Sequence, residues 1–456
     1  MQRRSSKFPK ARLACLLAAF LLFEPGGGFA ETIVFSPVEA NGSKTYVPPL
    51  IGANVHYGDK RILGYFSVDK VIQQLRDIGA ATFRDYIIWQ SFKFTKDGTP
   101  FYKQRRLMGL LEKPTGMRPL INLGYANSFV EGGIPPLTDK GLELYKAFVK
   151  KAVEITGSYS PIYEVWNEWN MWIGVGKHMP ALDGAGAADD PRAAIHYTRV
   201  AKAAIKTIRA VDPNASILVG AVGDDSDWGW ARGIVRDGVL DGADGLSVHL
   251  YNQCARTKTP NEMVQRVSRL QALLTKDRGG TQTPIYITEF GWPTSDGNCG
   301  MPLDQTGRYF AQFILQASAL PWIKGIWMHE LKNITPDPVD RESNFGLYFY
   351  DDKPKPAVCF MREATQIIRS ADLVEVKQPY ADIFVARIKS GLREKIIFWA
   401  SNEGSSATYQ LSPTINHGQT MCGDTVENDG KPLSFRTAPV IFDANAGDKI
   451  VVKLTR

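Results

Sequence analysis

Two glutamates in the sequence each follow a short apolar run with the composition of a buried β-strand. Glu168 ends the run Tyr163-Glu164-Val165-Trp166-Asn167-Glu168, and Glu289 follows the run at 285–288. Two carboxyl groups on separate strands can act together, because one can protonate a leaving oxygen while the other attacks carbon or activates water. This is the chemistry that cleavage of a glycosidic bond requires.

Two further glutamates lie close to these runs and are given other roles. Glu164 stands on the same strand as Glu168 but earlier, so we expect it deeper in the fold with a structural role. Glu330 follows Trp327-Met328-His329 and is a third candidate carboxylate. It ranks behind Glu289, as a substrate contact or a loop ion pair.

The elements that would position these groups alternate between strands and helices from about residue 48 to 370. Amphipathic segments with apolar residues at three- and four-residue spacing separate eight short apolar runs. The runs are 51–55, 82–88, 118–123, 162–166, 216–221, 245–250, 285–288 and 323–327. Eight such units predict an α/β fold, a (β/α)₈ TIM barrel, in which polar residues at strand carboxyl ends face the active-site mouth. Glu168 and Glu289 would then close strands four and seven.

The pattern changes after Arg369 to alternating segments broken by Gly, Asn and Ser. Runs at 382–389, 395–400, 408–411, 440–443 and 449–454 predict a small C-terminal antiparallel β-sandwich domain packed on the barrel. With Trp399 as its one tryptophan, a structural cap is favoured over a sugar-binding module. The expected organisation is a signal peptide at 1–30, a TIM-barrel domain at 31–370 and a β-sandwich domain at 371–456.

The first thirty residues have the pattern of an export signal. Five basic residues flank or precede an apolar run at 13–23, and the segment closes on Gly28-Phe29-Ala30. The run is shorter than the roughly 20 residues that span a bilayer. We therefore expect export to the periplasm or the medium of a bacterium, without stable membrane insertion. Removal of the segment lowers the formal net charge of +7 by four, to +3, which argues against nucleic acid as a partner.

Four cysteines remain after this segment, with neither a CxxC pair nor zinc spacing. In an oxidising compartment they are expected to pair. Cys254 and Cys299 both follow predicted strands closely, which favours that bridge and leaves Cys359 with Cys422. The alternative is four unpaired thiols.

The motifs WNE at 166–168 and ITEFGW at 287–292 resemble the two signatures of the clan A glycoside hydrolases. The resemblance is greatest to glycoside hydrolase family 39, including its bacterial exopolysaccharide-cleaving members, and covers about residues 48–370. It implies that Glu168 is the acid/base and Glu289 the nucleophile of a retaining mechanism. No cofactor is expected.

The same resemblance implies roles for residues around the two glutamates. Arg84 would lie beside the nucleophile and keep it ionised, and Asn167 would bond the sugar 2-hydroxyl. His249 and Tyr251 would orient the carboxylates, and Trp327 would form an aromatic floor under the sugar. Each has an alternative: a surface ion pair for Arg84, core positions for Tyr251 and Trp327, and a hydrogen bond inside the barrel for His249.

Tryptophans follow many of the predicted strands and could line a groove for an extended glycan. They are Trp89, Trp166, Trp169, Trp172, Trp228, Trp230, Trp292 and Trp327. Flat aromatic faces stack on the apolar faces of sugar rings. Trp169, which stands where many relatives have proline, Trp292 and His56 are therefore candidate substrate contacts. The groove favours endo-acting cleavage of a polysaccharide, and the small net charge favours a neutral one.

Two other classes of protein compete with a two-glutamate hydrolase. His56, His249 and His329 could serve a metal-dependent hydrolase, although the sequence has neither HExxH nor an HxH at strand one. A non-catalytic glycan-binding barrel is the other alternative, but it would have little need of both glutamates with Arg84 and Asn167. An inverting hydrolase or a transglycosylase would keep both glutamates. The protein is expected to act as a monomer on a polysaccharide or oligosaccharide whose identity depends on the loops at 92–102, 169–190 and 296–302.

Overall fold

A computed structural model describes most of the 456-residue chain. The described residues are 30–35, 46–58, 67–94, 100–102, 106–171, 191–411, 415, 417–429, 431–445 and 450–455. The predicted signal peptide, except for Ala30, and Trp172 with the rest of the loop to 190 lie outside these ranges. Within them, no helix has the length and apolar character needed to cross a membrane.

Eight parallel strands form a closed barrel, which confirms the predicted fold class. In chain order they are Leu50–Asn54, Thr82–Tyr86, Arg118–Leu123, Ile162–Val165, Ser216–Val222, Gly245–Leu250, Ile285–Phe290 and Ile323–Met328. The eighth strand pairs with the first, with Ile326 opposite Ile51. All eight predicted runs are barrel strands, with ends that differ by one or two residues. Their apolar side chains are buried on both faces because helices cover the outside of a parallel barrel.

Eight described helices, numbered in chain order, accompany the strands. They are α1 (Val68–Asp77), α2 (Arg106–Leu111), α3 (Asp139–Thr156), α4 (Pro191–Val211), α5 (Gly229–Arg236), α6 (Pro260–Asp277), α7 (Leu303–Ser318) and α8 (Ala357–Arg369). Helix α6 shows how the sequence sets them: Thr259 caps it by accepting a hydrogen bond from the Glu262 amide. Its buried residues recur at three- and four-residue spacing, at Met263, Val267, Leu270 and Leu274.

A two-sheet sandwich follows the barrel, as predicted. Its six-stranded sheet has the order Leu373–Tyr380, Ile383–Ser390, Arg393–Ala400, Val440–Asn445, His417–Thr420 and Thr425–Glu427. Its four-stranded sheet has the order Ala30–Phe35, Ile450–Thr455, Ala407–Leu411 and Leu433–Phe435. The strand Ala30–Phe35 corrects the expected boundaries, since it was assigned with the barrel but pairs antiparallel with the last strand.

The central strands Ile383–Ser390 and Arg393–Ala400 of the six-stranded sheet are buried on both faces, which joins the sandwich to the barrel. Phe384 and Trp399 belong to the barrel core cluster, whereas Val385 and Phe398 belong to the cluster between the two sheets. This follows from the period-two alternation of side chains along a strand. Trp399 is fully buried and stacks on Phe384 at 5.4 Å. It therefore offers no face to a sugar, in agreement with a structural cap.

Both predicted disulfides are present. Cys254–Cys299 joins the loops after the sixth and seventh barrel strands, with Cα atoms 5.0 Å apart. Cys359–Cys422 joins helix α8 to the sandwich. Gln312 of α7 adds hydrogen bonds to the backbone carbonyls of Ala400 and Thr437 at 3.0 and 2.7 Å.

Candidate active site

Arg84, in the second barrel strand, is the centre of a buried polar network at the barrel mouth. Its guanidinium is fully buried and donates to Glu164 Oε2 at 2.8 Å and to Asn54 Oδ1 at 2.7 Å. It also donates to Asn167 Oδ1 at 2.7 Å and to Glu289 Oε1 at 2.6 Å. A buried guanidinium requires such partners because an unpaired charge there would be very costly. The network thus fixes Glu289 and Asn167 relative to each other, and Glu164 has the structural position expected of it.

Glu289, in the seventh strand, is the more enclosed of the two predicted catalytic carboxylates. Tyr86 donates to its Oε1 at 3.1 Å, and Tyr251 donates to its Oε2 at 2.7 Å. Burial by itself raises the pKa of this carboxyl, but the His249 and Arg84 cations, with Tyr251, outweigh burial and hold the pKa well below its usual range. Glu289 is therefore an ionised carboxylate at neutral pH.

Glu168 lies just beyond the fourth strand in an unusual backbone conformation. Its φ of 48° is left-handed, and its amide donates to the carbonyl of Ala221, whose φ is 40°. Such conformations of residues other than glycine are rare and cluster at functional sites. The turn leaves the Glu168 side chain 14% exposed at the mouth, whereas that of Glu289 is 7% exposed.

His249 connects the two carboxylates. Its Nδ1 lies 2.7 Å from Glu168 Oε1 and 3.6 Å from Glu289 Oε2. Burial works to lower the pKa of this imidazole, but Glu289 and Glu168 raise it further than burial lowers it. One oxygen of Glu168 and one of Glu289 lie within 4.8 Å of each other.

Four polar residues of this network were not among the predicted site residues: Asn54, Tyr86, Asn122 and Tyr125. Asn122 donates to Glu164 Oε2 at 2.9 Å, and the Tyr125 hydroxyl accepts from Asn167 Nδ2 at 3.0 Å. Tyr86 and Tyr125 stack with ring centroids 5.9 Å apart. All four stand at or next to the carboxyl end of a barrel strand, so the position rule that selected Glu168 also selects them.

The tryptophan interpretation is wrong for every described member of the set. Trp89, Trp166, Trp169, Trp228, Trp230, Trp292 and Trp327 are all buried. Trp327 packs inside the barrel with Leu120, Ile162 and Leu218, below the mouth, and its indole donates to Thr82 Oγ1. Because none of these rings has an exposed face, none can be the floor or wall of a glycan groove.

Trp169 and Trp292 are buried for separate reasons. Trp169 packs on Trp166 at 5.0 Å and on Tyr197 at 5.6 Å, outside the barrel strands and under helix α4. Trp292 donates to Asn252 Oδ1 at 2.8 Å and packs against Phe310 of α7. Both tryptophans follow a strand end, as predicted, but their rings point toward the helices instead of the mouth of the barrel.

A second group of polar residues, His56, His329 and Glu330, borders the nucleophile. His329 Nδ1 lies 3.8 Å from Glu289 Oε2, and His56 Nε2 lies 3.7 Å from Glu330 Oε2. The side chains of His56 and His329 are 13% and 15% exposed, whereas Glu330 is completely buried. Burial raises the pKa of Glu330 well above its usual range, although Lys355 opposes this. The rings of His56 and His329 are thus partly exposed in the neighbourhood of Glu289.

The three histidines of the metal-hydrolase alternative do not converge on one point. His56 and His329 group with Glu330, whereas His249 groups with Glu168 and Glu289. The His249 to Glu168 distance of 2.7 Å is that of a direct hydrogen bond. The geometry therefore favours acid–base chemistry at the two glutamates over a three-histidine metal site.

Comparison with known proteins gives both a sequence match and structural matches. Residues 141–327 match the model of a family described as cellulase (glycosyl hydrolase family 5). No curated protein matches the chain. The structure is similar to that of a family 39 glycoside hydrolase from the gut symbiont Bacteroides cellulosilyticus WH2, with a TM-score of 0.67 and 18% identity over 87% of this chain and 81% of that one.

Two further solved structures extend the comparison. A monomeric β-xylosidase from Caulobacter crescentus CB15 matches with a TM-score of 0.55 and 14% identity, over 92% of this chain and 97% of that one. A GH5_18 protein from Streptomyces cattleya, in complex with GlcNAc, matches with a TM-score of 0.54 and 14% identity, over 72% of this chain and 82% of that one. The predicted resemblance to clan A glycoside hydrolases, family 39 among them, is confirmed. Residues 141–327 resemble a glycosyl hydrolase family by sequence, and the whole fold resembles those of solved glycoside hydrolases.

Proposed function

We propose that this protein is a retaining glycoside hydrolase in which Glu289 is the nucleophile and Glu168 the acid/base. The observation that carries the proposal is that one carboxyl oxygen of Glu168 and one of Glu289 lie within 4.8 Å of each other, while the two groups have different environments. Retaining enzymes have carboxyl groups roughly 5–5.5 Å apart, and inverting enzymes about 6.5–9.5 Å. Glu289 is held ionised by several donors, and Glu168 is the more exposed partner with the imidazole of His249 beside it.

In the first step the Glu289 carboxylate attacks the anomeric carbon of the bound sugar. Glu168 donates its proton to the glycosidic oxygen, the bond between that oxygen and the anomeric carbon breaks, and the leaving sugar departs with the proton. The product is a glycosyl ester on Glu289. Arg84, Tyr86 and Tyr251 keep the attacking oxygens oriented, because each donates a hydrogen bond to the carboxylate.

In the second step the ester is hydrolysed. Glu168, now ionised, takes a proton from water while the water oxygen bonds to the anomeric carbon, and the ester bond to Glu289 breaks. Two inversions at one carbon give net retention. The Asn167 amide, whose oxygen is held by Arg84, has a second N–H beside the one given to Tyr125, and this second N–H is our candidate donor to the sugar 2-hydroxyl.

The finer parts of the proposal concern substrate and location. We propose that the substrate is a neutral extracellular polysaccharide and that the protein acts on it as a monomer; the expectation of endo action rested on the tryptophans, which are buried. We also include export, which two disulfides and the pattern of the first thirty residues support. We further propose that His56 and His329, which lie near Glu289, contact the sugar that is bound there.

The test is turnover of 4-nitrophenyl β-glycosides and of soluble β-glucan, xylan and glucomannan by the wild type, Glu168→Gln and Glu289→Gln. Glu143→Gln, an exposed helix residue paired with Lys146, is the matched control. We expect the wild type and control to release reducing ends and both site variants to lose several orders of magnitude. Proton NMR identifies the anomer of the product that appears first, and we expect it to have the anomeric configuration of the substrate.

Other outcomes would select the alternatives. Binding of one polysaccharide equally by all four proteins, without turnover, would identify a binding scaffold. Loss of turnover on chelation with EDTA would identify a metal-dependent hydrolase. Appearance of the opposite anomer first would identify an inverting mechanism.

A further inference from the structure

A large cavity lies beside the candidate catalytic centre and contains neither Glu168 nor Glu289 in its lining. Its volume is about 850 Å³, and it is formed by the loops after the seventh and eighth barrel strands. Ser295, Met301, Asn333, Thr335, Phe349 and Tyr350 are among the residues that line it. Substrates of TIM-barrel enzymes bind at this carboxyl-terminal face, and a cavity of this volume is large enough for a ligand of several hundred daltons.

The cavity is preformed, because backbone hydrogen bonds tie its two loops together. The Thr294 amide donates to the Asn344 carbonyl at 3.0 Å, and the Asp296 amide donates to the Pro338 carbonyl at 2.7 Å. The disulfide Cys254–Cys299 attaches the first of these loops to its neighbour. A ligand would therefore bind without ordering the loops first, which reduces the entropic cost of binding.

A wall that contains Asn344 and Phe345 stands between the cavity and the candidate catalytic centre. Asn344 lines the cavity, whereas the next residue, Phe345, packs edge-on against His329 and Tyr251 at 5.3 and 5.7 Å. At the base of this wall, Lys355 donates to Thr294 Oγ1 and Asn333 Oδ1 at 2.8 and 2.7 Å. The cavity therefore borders the residues that surround the candidate catalytic centre.

The lining has the chemistry of a sugar site. Phe349 and Tyr350 are half-buried aromatic residues, and Ser295 Oγ is buried without a hydrogen-bond partner. Asp296, Asp351 and Lys353 are the charged residues that line the cavity, and Lys353 is paired with Asp351 at 2.7 Å. With two carboxylates to one ammonium, the cavity disfavours an acidic glycan and suits uncharged sugar rings with hydroxyl groups on an apolar face.

We propose that this cavity binds neutral sugar residues of the same glycan chain, away from the bond that is cleaved. The inference rests on the proposed function, and it explains how a glycoside hydrolase whose described tryptophans are buried can hold a polymer. Binding energy from these remote residues would favour long substrates over short ones.

The test fills the cavity and compares a short substrate with a long one. Thr335→Tyr places a ring in the cavity, and Tyr350→Ala removes an aromatic face. Thr281→Tyr, at an exposed position before the seventh strand on the opposite face of the barrel, is the matched control. For each protein kcat/KM is measured on the 4-nitrophenyl glycoside and on the polysaccharide that the wild type hydrolyses.

We expect Thr335→Tyr and Tyr350→Ala to stay within two-fold of the wild type on the aryl glycoside and to lose ten-fold or more on the polysaccharide. Equal effects on both substrates, or no effect on either, overturn the inference. If the wild type hydrolyses neither substrate, the proposed function fails, and the cavity is tested by calorimetry with cellohexaose, xylohexaose and mannohexaose. Binding that Thr335→Tyr abolishes then supports a glycan site, and absence of binding overturns it.

Discussion

The imidazole of His249 is hydrogen-bonded to the carboxylate of Glu168 at 2.7 Å while it lies 3.6 Å from the carboxylate of Glu289. One titratable ring thus faces both groups that the reaction needs in opposite protonation states. Arg84, 2.6 Å from Glu289, faces the same carboxylate from the other side. The charge on His249 therefore influences both the stability of the site and the ionisation of the nucleophile.

The first prediction concerns stability as a function of pH in His249→Gln. Burial lowers the pKa of His249, but Glu289 and Glu168 raise it above the unfolded value of about 6.5. A raised histidine pKa stabilises the fold fully below the unfolded value, and this contribution disappears as the pH rises through the folded value. The loss of Tm in His249→Gln should therefore be larger at pH 5 than at pH 8.

Thermal unfolding of both proteins across this range checks the prediction. His417→Gln, at an exposed histidine in the sandwich, should change the Tm little at either pH. A Tm difference for His249→Gln that stays constant from pH 5 to 8 would show that the ring is not charged in the folded state.

The second prediction concerns the acidic side of the activity profile in Tyr251→Phe. Tyr251 donates to Glu289 Oε2 at 2.7 Å and helps His249 and Arg84 to overcome the effect of burial on that carboxyl. Its loss should raise the pKa of Glu289, so the acidic limb of kcat/KM moves to higher pH. A hydrogen bond to a charged group contributes about 1.5–3 kcal/mol, which corresponds to roughly a 10- to 100-fold loss of rate.

The profile is measured with an aryl glycoside from pH 3 to 8. The control is Tyr286→Phe, at the start of the strand that carries Glu289, and it should keep the acidic limb of the wild type. A Tyr251→Phe limb that coincides with the wild-type limb would mean that another group controls activity at low pH.

The third prediction separates the roles of the two glutamates by chemical rescue. In Glu168→Ala the second step loses its general base, which contributes about 10²- to 10⁴-fold. Because an activated aryl leaving group needs little protonation, the glycosyl ester on Glu289 still forms. Added azide needs no deprotonation, so it should accelerate turnover and yield a glycosyl azide of retained configuration.

Glu289→Ala should behave differently with azide. Without a nucleophile no ester forms, and azide in the vacated space would attack the sugar directly to give the opposite configuration. Identical products from the two variants would show that the assigned roles are wrong.

The fourth prediction concerns the tryptophans after the strands. Since Trp169 and Trp327 are fully buried in packed surroundings, Trp169→Ala and Trp327→Ala should each lower the free energy of unfolding by about 3–5 kcal/mol. The KM of the folded fraction should stay at the wild-type value, because neither ring reaches the mouth. Denaturant unfolding and steady-state kinetics measure the two quantities, and a raised KM with unchanged stability would restore these residues as sugar contacts.

The barrel could be predicted because its strands have a local signature. A run such as 217–222 is apolar at every position, as expected for a strand that is covered on both sides. The positions of Glu168 and Glu289 followed from the strand count, because strand carboxyl ends meet at one face, whereas Arg84 was implied by the family resemblance. Asn54, Tyr86 and Tyr125 follow from the same rule, although their contacts with Arg84 and Asn167 depend on side-chain directions that spacing does not give.

The sequence could not predict the direction in which a large side chain points. Trp327 and His329 are two residues apart, yet Trp327 packs in the barrel interior and His329 lies beside Glu289. Likewise, the run Ala30–Phe35 has no regular alternation of polar and apolar residues, and nothing local indicates a partner at residues 450–455. Pairing at such a distance depends on the complete fold.

The pairing of Ala30–Phe35 with Ile450–Thr455 sets Ala30 directly opposite Thr455 in an antiparallel ladder. A short turn joining residue 455 to residue 30 would convert these two strands into a hairpin, so the order of the chain could be circularly permuted at this corner without breaking the sheet. During synthesis, by contrast, this sheet has to wait for its last strand, whereas all eight barrel strands have already been made by residue 328. The barrel can therefore close first, and the sandwich is completed last against a surface that already exists.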